Sequence, residues 1–343
     1  MQKKIIALAI AGLVSSGAFA QSNVTVYGII DTAMESRTVS GDVTAANNIT
    51  RYNGVSGGYM TSRLGFKGSE SLGGGMSANF MVETGLGTDA PTTLAPAAGA
   101  ANTATMLGDR SLTVGLSGNF GSVNLGRQYS PIFNVAAAGD TFMYAGAGSA
   151  ANIIGGNTSV RRNNSIRYDS PSMSGFTAAI MWDANTENTT NVTKKNDQAT
   201  GLSLRYANGP VAVGYGYEKV TVTEATGTDQ RRNALTAGYN FGVVSVQGGH
   251  LTNKVSNGGA DNAVTYLGVK APVGAAGTVR LQWGKMNDRN VTNADQNFWG
   301  LGYGHAMSKR TNLYVNYGTF DNKINAAGVS DWRSLQGGIN HSF

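Results

Sequence analysis

Apolar and polar residues alternate with a period of two along most of this chain. Val24-Thr25-Val26-Tyr27-Gly28-Ile29-Ile30-Asp31 sets the pattern, and Met76-Ser77-Ala78-Asn79-Phe80-Met81-Val82-Glu83 repeats it. Segments 202–206, 211–218, 279–283, 313–317 and 335–343 continue it to the last residue. In a strand, successive side chains point to opposite faces, so one face is aliphatic or aromatic and the other carries Thr, Asn, Gln, Ser, Gly, Arg or Glu. A soluble sandwich alternates in the same way, so the connections decide. Short turns fall at 70–75, 118–121, 170–175, 207–210, 240–242, 272–277 and 308–311. Long polar connections fall between them, at 34–57, 86–108, 130–160, 184–198, 220–232, 252–262, 286–296 and 320–331. Seven short turns and eight long connections join sixteen strands. Tight turns at one end and long loops at the other are the asymmetry of an outer-membrane barrel. The expected fold is all-β, a 16-stranded antiparallel transmembrane β-barrel with short periplasmic turns and long external loops.

The N-terminus supports export. Lys3 and Lys4 precede an apolar stretch, and Ala18-Phe19-Ala20 is a small-x-small cleavage pattern. The expected division is a signal peptide at 1–20 and a barrel domain at 21–343. Its apolar run is roughly ten residues, too short to cross ~30 Å of hydrocarbon as a helix. No later apolar run reaches the length of a membrane helix. A closed barrel is the remaining way to satisfy every backbone N–H and C=O in lipid. The last strand, ending at Phe343, is expected to close on the first strand near Val24.

Composition sharpens this picture. Glycine is 48 of 343 residues and charged residues are only 13%, against a usual ~25%. Half of every membrane strand faces lipid and can carry no charge. With no cysteine, a disulfide scaffold is excluded. The net charge of +6 falls by two when Lys3 and Lys4 leave with the signal.

Particular residues carry a family resemblance. Gln21-Ser22-Asn23-Val24-Thr25-Val26-Tyr27-Gly28 resembles the first strand of general porins from Gram-negative β-proteobacteria. Ser62-Arg63-Leu64-Gly65-Phe66-Lys67-Gly68-Ser69-Glu70 with Ser71-Leu72-Gly73-Gly74-Gly75 resembles that family's second strand and first turn. The resemblance continues in Leu125-Gly126-Arg127-Gln128, Asn163-Asn164-Ser165-Ile166-Arg167-Tyr168 and Met307-Ser308-Lys309-Arg310-Thr311. It implies a homotrimer and a third loop folded into the lumen; outer-membrane lipid is a further expected partner, and so is lipopolysaccharide, through an Arg-rich rim. That loop departs from the family's Asp-Pro-Phe-like stretch, reading Asp140-Thr141-Phe142.

A sixteen-stranded barrel leaves an aqueous channel whose width and wall charges determine what passes. Alternation places Arg63 and Lys67 on the lumen side opposite Leu64 and Phe66, and Glu83 opposite Phe80 and Val82. By the same parity Arg161, Arg167, Arg205, Arg280, Asp31 and Glu218 face inward. The resemblance implies a constriction with Arg63, Arg110 and Arg161 on the wall, facing Glu83 and an acidic loop residue, Asp140. Strict alternation points Arg110 outward with Leu112 and Val114, and Arg127 outward with Leu125. A bulge or a strand-end position would bring Arg110 in. The expected activity is passive diffusion of small ions and hydrophilic solutes with weak anion preference. A solute-specific channel or an adhesin or receptor built on the same barrel is the alternative.

Other chemistry finds no support in the sequence. His250, His305 and His341 lack metal-ligand spacing, so no cofactor, metal or enzyme activity is expected. Gly54-Val55-Ser56-Gly57-Gly58 matches a nucleophile-elbow pattern but lies in an Asn/Gly-rich stretch, without the strand-turn-helix the motif requires. Lys194-Lys195 and Arg231-Arg232 are rim charges rather than a nucleic-acid patch.

Overall fold

A computed structural model describes residues 23–40, 48–89, 107–184, 198–223, 227–291, 294–322 and 331–343. The signal segment, Lys194-Lys195 and most of the connections at 86–108, 184–198 and 320–331 lie outside the described residues. The strands are β1 (Asn23–Ser40), β2 (Ile49–Ser56), β3 (Arg63–Gly73), β4 (Met76–Gly85), β5 (Ser111–Gly118), β6 (Gly121–Tyr129), β7 (Arg161–Asp169) and β8 (Phe176–Asp183). They continue as β9 (Gln198–Asn208), β10 (Val211–Thr223), β11 (Thr228–Asn240), β12 (Ser245–Val255), β13 (Asp261–Val273), β14 (Gly277–Asp288), β15 (Gln296–Ala306), β16 (Thr311–Asn322) and β17 (Asp331–Ser342).

These seventeen segments make sixteen staves. The lower half of β1 pairs with β3 and its upper half with β2, so β2 and β3 are one stave interrupted at residues 57–62. Every other strand pairs antiparallel with its sequence neighbour, and β17 returns to β1. Phe343 N donates to the Gly28 carbonyl at 3.1 Å and Gly28 N to the Phe343 carbonyl at 3.2 Å, which closes the last strand on the first strand, four residues beyond Val24. No edge is left for lipid to contact.

The short turns lie where the sequence places them, but several long connections are shorter than expected. Strand pairing runs through most of 34–57, and β10, β12 and β14 extend to Thr223, Val255 and Asp288. These extensions mix polar residues such as Thr221, Asn253 and Asp288 with scattered apolar ones such as Met34 and Val220, so the alternation is weaker there while backbone pairing continues.

Outward side chains are apolar and exposed, including Val26, Val114, Leu204, Leu267, Leu301, Val315 and Leu335. Trp182, Trp299, Tyr303 and Tyr317 join this outer surface. Tyr27, on the opposite parity to Val26, donates its hydroxyl inward to Glu83 at 3.0 Å.

The hydrophobic core is inside the barrel, under the third loop. The chain turns inward after Tyr129, and Ser130 caps helix α1 (Pro131–Ala138) by accepting from Phe133 N at 3.2 Å, with Pro131 opening the helix. Ile132, Val135 and Ala136 are buried and α1 packs on β9, β10 and β11. A second helix, α2 (Ala151–Ile154), buries Ile153 and Ile154 and packs on β14 and β15. Polar anchors fix the loop between them. Thr141 donates from its backbone N and Oγ1 to Gln282 Oε1 (3.0 and 2.7 Å), and Ala147 N to Gln336 Oε1 (2.9 Å).

Glycines on the inner wall make this contact possible. A Cβ at Gly318 would lie 2.0 Å from the Ala147 carbonyl, one at Gly300 2.2 Å from the Gly148 carbonyl, and one at Gly268 2.4 Å from Thr141 Cγ2. Much of the glycine excess therefore makes a track on which the loop lies, in addition to the turns.

The break at 57–62 has its own anchor. The Asp31 carboxylate accepts from Gly58 N, Tyr59 N and Met60 N (2.8–3.1 Å), from Tyr314 Oη (2.6 Å) and from Asn340 Nδ2 (3.0 Å). Asp31 points inward as parity requires, but it is fully buried rather than a lumen charge. Each buried donor left unpaired costs about 1–3 kcal/mol. Asp31→Ala is therefore expected to lower the thermal unfolding midpoint of the detergent-solubilised protein. A midpoint equal to wild type would show that Asp31 is not the anchor.

Candidate functional site: the lumen and its charged wall

Lumen-facing side chains of β3 to β7 converge with Tyr27 of β1. Glu83 on β4 lies beside Gly65 on one side and Ser111 on the other. Arg110 Nε donates to Glu83 Oε1 at 2.7 Å, and Arg63 Nη1 lies 4.0 Å from the same oxygen. Tyr129 Oη accepts from both Arg110 Nη2 and Arg161 Nη2 at 2.7 Å, and the Arg161 guanidinium lies 4.4 Å from the Tyr129 ring centre. Arg63, Arg110, Arg161 and Glu83 are thus brought together.

Arg110 reaches the lumen because it precedes β5 instead of belonging to it. It lies in the irregular stretch just before Ser111, and its N–H donates to the Glu83 carbonyl. Arg110 and Ser111 are consecutive and both buried, so alternation fails at that point. Arg127 is not joined to Glu83. The β6–β7 register shifts between Gly126 and Gln128, and Arg127 instead donates to the Asp109 carbonyl and to Asn163 Oδ1. It faces Leu112, whose side chain is exposed on the outer surface.

Asp140 does not face the arginines. It is buried inside the loop, where its carboxylate accepts from Phe142 N (3.0 Å), Tyr144 N (2.9 Å) and Ser149 Oγ (2.5 Å). Burial pushes its carboxyl above the usual carboxylate range, against the pull of these hydrogen bonds. An acidic residue in the right loop suggests a partner for the arginine wall, but local backbone donors capture it first.

The remaining lumen charges divide into paired and unpaired. Arg167 binds Asp169 at 2.6 Å, and Arg232 binds Glu218 at 2.6 Å. Arg162, missed in the sequence, binds Asp183 at 2.7 Å. Arg231 and Arg232 are therefore not both rim charges: Arg232 points inward. Glu35 was also missed, and accepts from Ser334 Oγ (2.6 Å) and Gln336 Nε2 (3.0 Å).

Arg280 is buried between aromatic faces, 4.2 Å from the Tyr59 ring centre and 5.8 Å from that of Phe142. Lys67 is exposed to the lumen, 5.2 Å from the Tyr27 ring centre. Arg205 and Lys270 are exposed on the same parity as inward-facing Gly214 and Arg280. Among the described residues, none of Lys67, Arg161, Arg205, Lys270 and Arg280 has a carboxylate within 4 Å.

Beside the arginine cluster lies a cavity of about 550 Å³, bounded by Lys67, Met81, Thr113, Asn124 and Arg167 on the wall and by Asn134 on α1. The third loop covers the opposite wall, so the open path runs between α1 and the basic side. Among the described residues no group of three or more His, Asp or Glu side chains is arranged to hold a metal ion.

A closed barrel with an apolar outer belt, a polar charged interior and a loop folded into its lumen is an outer-membrane channel. The description Gram-negative porin matches residues 7–325, and the chain belongs to that family. It is 33% identical to outer membrane porin protein 32 of Delftia acidovorans and 30% identical to an outer membrane porin protein of Bordetella pertussis, over the whole of both chains in each case. The anion-selective porin from Comamonas acidovorans superimposes with a TM-score of 0.80 at 31% identity, covering 94% of this chain and 100% of that one. The chain is an outer-membrane diffusion porin, not an enzyme.

Proposed function

We propose that this porin is a homotrimer whose channel passes small hydrophilic solutes with a preference for anions, exported by a signal peptide at residues 1–20. In this reading Arg63, Arg110 and Arg161 form the basic wall of the constriction. Glu83 holds Arg110 in place and does not act as a cation site. The supporting observation is the asymmetry of charge partners. Glu83, Asp169, Asp183 and Glu218 each bind an arginine at 2.6–2.7 Å, while Lys67, Arg161, Arg205 and Lys270 have no carboxylate partner among the described residues. Among the described residues Asp31 and Glu35 also lack a cation, but both are buried and held by neutral donors, so the charge the wall exposes to solutes is positive, which raises the local anion concentration. The similar Comamonas porin is described as anion-selective. For the trimer, family membership is the support, and a solved relative from Vibrio cholerae is described in a trimer form. The zero-current potential of the purified protein across a KCl gradient tests the selectivity. A potential of the sign for chloride is expected, and one of the sign for potassium would overturn the reading.

A further inference from the structure

A second cavity, of about 480 Å³, lies above the third loop between its residues 152–157 and the inner wall at the external ends of β11–β15. Its size falls in the roughly 300–1,000 Å³ range of small-molecule sites. Six carboxamides line it: Asn152, Asn157, Gln230, Asn253, Asn262 and Gln296. Arg232 is the one charged residue in the lining, and its charge is matched by Glu218 at 2.6 Å. Ile154 and Met286 add an apolar side.

The hydrogen-bond inventory of this wall is incomplete in a specific way. Five buried side-chain polar atoms among the described residues lack a partner, and three belong to this lining: Asn157 Oδ1, Asn262 Oδ1 and Arg232 Nε. Asn157 itself is 3% exposed, with its Nδ2 held by the Ile154 carbonyl at 2.7 Å, so its oxygen is left free. Arg232 Nη2 donates to Gln230 Oε1 (2.8 Å), and Gln230 Nε2 donates to Asn253 Oδ1 (2.7 Å), so this relay leaves the Asn253 amide N–H groups free.

The free atoms are two acceptors and two kinds of donor. A carboxylate or phosphate oxygen accepts only and would leave both carbonyl oxygens unmet. A metal cation would meet the oxygens and be repelled by the guanidinium. A hydroxyl group both donates and accepts, and several on one carbon frame would match the set. We propose that this cavity binds a neutral polyhydroxylated solute of mono- or disaccharide size on the external side of the constriction. The inference rests on the channel reading, because the solute reaches the site through the lumen. Net neutrality of the Arg232–Glu218 pair separates this site from the basic wall, which attracts ions.

The test uses the purified wild-type protein in planar bilayers, with KCl conductance recorded first. That measurement checks the channel reading separately. Sucrose is then added on the external side, with a polyethylene glycol of equal mass and with succinate as comparisons. Expected is a saturable reduction of current by sucrose that the glycol, which has ether acceptors along its length, does not produce. In Asn262→Leu the half-blocking sucrose concentration is expected to rise about fivefold, as for loss of one neutral hydrogen bond, with KCl conductance retained. A linear, unsaturable effect equal to that of the glycol would overturn the proposal. So would a saturable block by succinate stronger than that by sucrose and relieved by Asn262→Leu. If Asn262→Leu yields no channels, Asn157→Leu replaces it, and the wild-type comparison stands without either variant.

Discussion

Arg63→Glu is expected to move the zero-current potential in a KCl gradient towards the value for cations, with little change in barrel stability. Arg63 approaches Glu83 only at 4.0 Å, and its Nε donates to the Thr61 carbonyl at 3.0 Å, so it anchors little of the wall. At ~6 Å through water, one unit charge changes an ion's energy by about 0.7 kcal/mol, and reversal doubles that. Since 1.4 kcal/mol is a factor of ten and the change acts with opposite sign on anion and cation, the ratio of anion to cation permeability should fall by up to about a hundredfold before salt screening, and by less at the ionic strength of the measurement. Arg161→Glu should act in the same direction. Arg110→Glu is a poorer probe, because it places a carboxylate against Glu83 in a buried site and would disturb the wall itself. An unchanged potential in Arg63→Glu would remove that residue from the path of permeating ions.

Gly318→Val should narrow the channel without opening the barrel. Its Cβ would lie 2.0 Å from the Ala147 carbonyl, whereas ordinary contact begins at 3.4 Å. The obstacle is backbone, so the loop must retreat by more than about 1 Å or the strand must bend, at an overpacking cost of about 1–3 kcal/mol. The sixteen-stave ladder is stiffer than a loop held by Gln282 and Gln336, so the loop yields, and the free space lies towards the basic wall. The expected result is a lower single-channel conductance with β-sheet circular dichroism retained. A wild-type conductance would show that the loop is not seated against β16. Valine at Gly337, where a Cβ meets nothing within 4 Å, is the matched control.

The site was partly legible in the sequence. Arg63, Lys67, Glu83, Arg167 and Glu218 follow from parity, because regular strands carry face assignment from residue to residue. Parity failed at Arg110, where the chain is not yet in a strand, whereas Arg127 stays on the side parity gives it, opposite Leu112, although the register shifts beside it. Asp140 was assigned by resemblance and by charge alone, and its burial depends on backbone N–H groups of Phe142 and Tyr144 that no pattern displays. The paired inner-face glycines, Gly214 with Gly216 and Gly300 with Gly302, were a readable signal that something packs closely against those strands. α1 residues meet the first pair, and Gly148 and Phe142 meet the second.

Alternation, turn spacing and the need to satisfy every backbone group in lipid are properties of short segments and of the solvent. They determined, from sequence alone, a closed sixteen-stave membrane barrel and the inner face of most strands. Which inward charges remain free for a solute was decided only by the tertiary structure. Asp31 meets Tyr314 and Asn340 from the far end of the chain, and Glu83 meets Arg110 across a strand connection. A charge's effect in the lumen depends on such partners, and closure of the barrel is what brings them within hydrogen-bonding distance.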